Sequence, residues 1–170
     1  MKNLIATFYI LALSVAGEAS TLKDSRSPDG RYTVSLQSGD TEYPQRLIIL
    51  DSSTGKAVGR SIIHFISSKS DSPIQQSDNP KVEWNSTSSF FIFTINRQEG
   101  IQGQIVALGD TPESIKTSDL GTRFASDSKI VSYKFIGPQQ IQVKNRLVLG
   151  RDVTVTLTVG PDGSVSGSPE

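Results

Sequence analysis

The 170-residue chain has no cysteine, a single histidine, a single tryptophan and no charge excess of either sign, with 17 Lys and Arg against 17 Asp and Glu. Without cysteine there is no disulfide to staple the fold. There is also no thiolate to act as nucleophile or metal ligand, and no attachment point for a lipid on an N-terminal cysteine. Stability must therefore come from an ordinary hydrophobic core. Exported domains of this size in higher organisms often carry disulfides, so their lack favours a bacterial periplasmic or secreted protein. A neutral chain offers no overall electrostatic footprint for nucleic acid or an anionic membrane. With one His and no Cys, a zinc site would need carboxylates to complete it, and no close-spaced acidic cluster is visible. No metal, cofactor or nucleic-acid partner is expected.

Long apolar runs are also lacking, except one. After Lys2 the chain is uncharged from 4 to 16, a 13-residue stretch ending in small residues. That is the three-part pattern of a cleavable signal peptide, and it falls short of the roughly 20 residues needed to span a bilayer as a helix. Cleavage after Ala19, with Gly17 at minus three, is preferred to cleavage after Ala16. Residues 1–19 thus read as a signal peptide and 20–170 as a single all-β domain, exported to the bacterial periplasm or the medium with no permanent membrane anchor. Removing 1–19 takes away Lys2 and Glu18, so the remainder is also neutral.

What the chain has in quantity is short runs of β-branched and aromatic residues punctuated by Gly, Pro, Asp and Ser, which is the pattern of strands joined by turns. Strands are predicted at 31–37, 46–51, 57–66, 82–84, 90–96, 102–108, 130–136, 141–149, 153–159 and 164–166. Ser27-Pro28-Asp29-Gly30 sets Pro where φ is fixed near −65° and Gly where φ turns positive, and Gly160-Pro161-Asp162-Gly163 repeats the device. Asp51-Ser52-Ser53-Thr54-Gly55 offers an Asp side chain to cap a third turn. All three predict antiparallel connections. Two polar stretches, 67–80 and 109–129, read as long surface loops, the second with one helical turn over 112–117 behind Thr111 as N-cap.

Three segments align loosely as a turn followed by a strand: 26–37, 83–96 and 134–146, spaced by roughly 50 to 57 residues. The first, Ser27-Pro28-Asp29-Gly30-Arg31-Tyr32 leading into Thr33-Val34-Ser35, resembles a blade of a β-propeller of the type found in the Tol translocation protein and related WD-like repeats. Glu83-Trp84-Asn85-Ser86-Thr87 and Phe135-Ile136-Gly137-Pro138 stand at the corresponding places. The resemblance implies blade-like sheets, although three copies fall short of the roughly four that close a ring. The fold class is therefore all-β: an antiparallel meander curling into a two-sheet sandwich as first choice, or an open stack of about three propeller-like blades.

No motif carries chemistry. His64 lies among Ile62, Ile63, Phe65 and Ile66 and reads as structural. Gly163-Ser164-Val165-Ser166-Gly167 matches the nucleophile-elbow string, yet no helix can follow it and the one histidine is far upstream. Gly55-Lys56 lacks the other residues of a phosphate loop. Asp51-Ser53-Gly55 hints at a calcium loop, but Ile62 stands where that loop needs its bidentate acid. Asn85-Ser86-Thr87 is a glycosylation sequon in a eukaryotic host and a turn otherwise. Glu42, Glu83, Glu99, Glu113 and Asp152 are scattered, and nothing singles out a catalytic pair. Phe91, Phe93 and Ile95 share one face of a strand and Phe90 and Ile92 the other, so that strand is expected to be central and covered on both sides, with Trp84 in the core. Trp84 or Tyr43 as a sugar-stacking platform is the minor reading. Catalytic, cofactor and metal residues are accordingly none. The functional expectation is a non-enzymatic binding or scaffold module contacting an unknown protein or glycan through its two long loops. The alternatives are a small glycan hydrolase and a subunit of an oligomeric propeller-like assembly.

Overall fold

The computed structural model describes residues 19–38, 45–63, 74–98, 100–109, 114–121 and 128–169. These form twelve strands: β1 (Ala19–Arg26), β2 (Tyr32–Ser38), β3 (Gln45–Asp51), β4 (Ala57–Ile62), β5 (Lys81–Trp84), β6 (Phe90–Arg97), β7 (Gly100–Ala107), β8 (Lys116–Asp119), β9 (Lys129–Gly137), β10 (Gln140–Arg146), β11 (Asp152–Val159) and β12 (Val165–Pro169). Each pairs antiparallel with its sequence neighbours inside three consecutive meanders, β1–β4, β5–β8 and β9–β12.

The meanders are joined thinly. One parallel pair, Lys23↔Lys81, links β1 to β5, and one antiparallel pair, Ile101↔Ile130, links β7 to β9. The edge of β7 is shared: its end, 104–107, pairs with β8, while its start turns to β9. By hydrogen bonding the result is two open antiparallel sheets, of four and eight strands, with no barrel closure. By packing it is three layers, because the eight-stranded sheet divides at Ile101↔Ile130.

The layering follows from β6. Six consecutive residues there, Phe90 to Ile95, are buried, which a pleated strand achieves only when both faces are covered. Phe91, Phe93 and Ile95, with Val106 of β7, pack against Leu22, Val34, Leu36, Leu47 and Ile49 of the first meander. Phe90 and Ile92, with Ile105 and Ala107, pack against Ile130, Ile141, Val143, Val155, Leu157 and Val159 of the third. The expected central strand is thus central, and the chain has two cores, one on each side of the middle meander. Gly59 permits a close approach in the first, where a β-carbon would lie 2.0 Å from Ile115 Cδ1.

The three predicted turns all connect antiparallel neighbours. In the first, Ser27 Oγ donates to Asp29 Oδ1 (2.6 Å), Tyr32 N donates to Ser27 Oγ (2.9 Å), and Gly30 sits at φ 73°. Asp51 Oδ1 accepts from the amides and hydroxyls of Ser53 and Thr54. Asp162 Oδ1 accepts from the amide and hydroxyl of Ser164. Two expectations are corrected. Lys116 and Thr117, assigned to a helical turn, begin β8, because their backbone completes the edge of β7 and the flanking Ile115 and Leu120 anchor them in opposite cores. The strand predicted over 141–149 stops at Arg146, and a turn closes with Gly150 at φ 77°.

Candidate functional site

The first strands of the three meanders, β1, β5 and β9, converge on a cleft of about 550 Å³ lined by Asp24, Arg26, Pro28, Lys81, Val82, Glu83, Trp84, Tyr133, Lys134 and Phe135. The lining residues of β5 and β9 are consecutive. Side chains of a strand alternate between faces, so a wall made of successive residues is a strand met edge-on. The pairing agrees. From Val131 onward β9 is hydrogen-bonded to β10 on one side, and among the described residues its other edge has only the Ile101↔Ile130 pair. Beyond Lys81, β5 likewise pairs only with β6. The second edge of β5 beyond Lys81 and that of β9 beyond Ile130 therefore face the cleft without a register partner among the described residues.

Its side chains are held from behind. Trp84 Nε1 donates to the Ser25 carbonyl (3.1 Å), and its ring lies between Phe91 (4.8 Å between centroids) and Tyr32 (6.2 Å, nearly parallel). Lys81 pairs with Glu83 two residues along the same face. The Tyr133 phenol oxygen is 3.2 Å from Thr94 Oγ1. Burial pushes that phenol up to about 12, the neighbouring Glu83 carboxylate adds to the rise, and the Thr94 hydrogen bond opposes it. Tyr133 is thus a neutral hydrogen-bonding group throughout the physiological range. Asp24 reaches the cleft from a left-handed backbone position (φ 56°) inside the irregularity of β1 between Thr21 and Arg26. Arg26, Lys81 and Lys134 stand against Asp24 and Glu83, so the cleft offers charges of both signs.

Hydrogen bonds tie together the turns that follow β1, β5 and β9. Asp29 N donates to Ser88 Oγ (3.2 Å), and Asn85 Nδ2 donates to the Pro138 carbonyl (2.7 Å). Asn85 is 1% exposed, and its Oδ1 accepts from the amides of Ser89 and Phe90. This is the turn residue of the alternative reading. As a glycosylation acceptor it is excluded in the folded chain, because its amide nitrogen is buried and bonded. The three turns are those of the repeated segments, and the first residue of each segment, Arg26, Glu83 and Lys134, lines the cleft.

The other singled-out residues do not meet. Of the five acids weighed as catalytic, Glu83 is in the cleft, whereas Asp152 starts β11 and is bound by Lys144 (2.8 Å) and Arg146 (2.9 Å). Glu42, Glu99, Glu113, Tyr43 and His64 lie outside the described residues, as do 67–73 and much of 109–129. Ser164 is bound to Asp162 in a turn, with no helix after it. No group of three metal-ligating side chains occurs among the described residues. The cleft was missed from sequence because its walls come from strands far apart in the chain, although superposing the three repeats would have put charged residues at its rim. Compared with known proteins, the chain matches no family model and no curated protein.

Proposed function

We propose that this protein is an exported, non-enzymatic binding module that receives an extended peptide segment of a partner protein in the cleft between β1, β5 and β9. The observation that carries the reading is the edge-on wall of β5 and β9. Unpaired strand edges add a further strand, main-chain hydrogen bonds supplying affinity and alternate side chains specificity. The surroundings suit such a ligand: charges of both signs for polar side chains, and Trp84, Tyr133 and Phe135 for apolar ones. A glycan is the less favoured occupant, because the Trp84 ring is stacked on Tyr32 and packed at a tilt against Phe91. Export rests on the signal-peptide pattern of residues 1–19.

Trp84 is the single tryptophan and lines the cleft, so its fluorescence reports on occupancy. Peptides selected from a displayed random library should change that fluorescence, lose binding to the Lys134→Glu and Phe135→Ser variants, and fail when N-methylated at alternate positions. Selected peptides that bind those variants undiminished, or tolerate N-methylation everywhere, would overturn the proposal.

A further inference from the structure

The turn joining β10 and β11 carries the two most exposed large apolar side chains among the described residues, Val148 at 74% and Leu149 at 96%. The turn is pre-formed: Leu147 N donates to the Arg151 carbonyl (2.9 Å), Gly150 N donates to the Leu147 carbonyl (2.8 Å), and Gly150 takes φ 77°. Single apolar residues on a surface are ordinary, but two adjacent ones at a protruding tip are costly to leave in water and mark a contact.

The charges around the tip say with what. Lys144, Arg146 and Arg151 lie on the same hairpin, and Lys129 is the register partner of Arg146 on β9. The one acid of the hairpin, Asp152, is held by Lys144 and Arg146. Two residues along from Lys129, Val131 is a further exposed apolar residue, displaced by a bulge of β9. A neutral chain thus concentrates cations at one end of its third meander, around an apolar point.

We propose that this tip is a reversible contact for an anionic lipid surface: Val148 and Leu149 enter the interfacial region, and Lys129, Lys144, Arg146 and Arg151 supply attraction to the headgroups. Convexity favours lipid over a protein partner, since a tip of two side chains offers no broad face for a complementary protein surface, while a bilayer needs none. The contact is independent of the cleft.

Because the chain has no cysteine, Leu149→Cys gives a unique site for an environment-sensitive dye, and Thr156→Cys on the outer face of β11 gives the control. Vesicles of phosphatidylcholine with and without phosphatidylglycerol are added to each labelled chain. The tip dye should shift to the blue with anionic vesicles only, and the control should not shift. Cosedimentation of the wild type should fall about tenfold or more when salt is raised from ~0.05 to ~0.5 M, where screening reaches only a few ångströms. Val148→Ser/Leu149→Ser and Arg151→Glu should each lose binding to a similar extent. Equal shifts at tip and control, equal binding by wild type and the double variant, equal binding to neutral vesicles or no binding at low salt would each overturn the proposal. The first two outcomes would assign lipid contact to another segment, and the last is the result expected of a tip that seats in a protein.

Discussion

The middle and third meanders have the same four-stranded up-and-down pairing and opposite burial. In β6 six successive residues are buried, whereas in β10 and β11 apolar buried positions alternate with polar ones. The inner face of β11 is Val153, Val155, Leu157 and Val159, and its outer face carries Thr154, Thr156 and Thr158. The same backbone unit thus becomes a core layer or an end layer according to whether its alternate positions are apolar. A polar outer face also ends the stack, as a capping repeat does in solenoid proteins.

The comparison breaks most visibly at adjacent residues. Phe91→Ala and Ile92→Ala should both be severe, at about 3–5 and 2–4 kcal/mol, because each empties one of the two cores. In β11, Leu157→Ala should cost about 2–4 kcal/mol and its neighbour Thr158→Ala no more than about 0.5. Equilibrium urea unfolding measures all four, and a cheap Ile92→Ala would contradict the two-core arrangement. Next in size is Asn85→Ala, expected to cost about 2–3 kcal/mol, since it strands the amide of Ser89 and the buried amide of Phe90 and frees the Pro138 turn. Asn85→Asp keeps an acceptor for both amides but loses the donor to the Pro138 carbonyl, and should fall between wild type and Ala. Faster hydrogen exchange at the Phe90 amide in the Ala variant would locate the loss.

The same contrast explains what was legible in the sequence. Strands with strong apolar alternation or runs, such as β3, β6 and β11, were found within a residue or two. β1 and β8 were missed because, among the described side chains, β1 contributes only Leu22 to a core and β8, Lys-Thr-Ser-Asp, has no apolar residue. Those two strands exist through pairing with neighbours, a tertiary cause that leaves no periodicity. Turn chemistry was legible because Asp, Pro and Gly act locally. The cleft was not legible, since the edges of β5 and β9 become a wall only after three sheets stack.

One residue violates the third meander's rule. Asn145 follows Ile141 and Val143 on the inner face, is 1% exposed, and neither Nδ2 nor Oδ1 finds a hydrogen-bond partner among the described residues. It sits at the irregularity where β10 shifts register against β9, opposite Ile130. An unpaired buried amide carries a desolvation cost, so Asn145→Val should raise stability by about 1 kcal/mol. A loss on urea unfolding would mean that the amide has a partner in solution.

The smallest effect is at the exposed turns of the first and third meanders. The Asp51 carboxyl is lowered to about 2 by hydrogen bonds from the Ser53 hydroxyl and from Thr54, and Asp162 to about 2 by those from Ser164. Asp152 is lowered to about 2 by Arg146 and then Lys144. In the unfolded chain each returns to about 3.9. The folded state therefore binds fewer protons between these values, and the stabilisation these groups give is complete above about pH 5 and disappears as pH falls from about 4 to about 2. Asp51→Ala/Asp162→Ala should be less stable than wild type at pH 7 and should converge on it near pH 2. The same double substitution should leave the Phe91, Ile92 and Leu157 differences unchanged, because neither core includes a carboxyl group. A constant gap between wild type and the double variant across that pH range would mean that the turns gain nothing from the ionised carboxylates and are shaped by Gly and Pro alone.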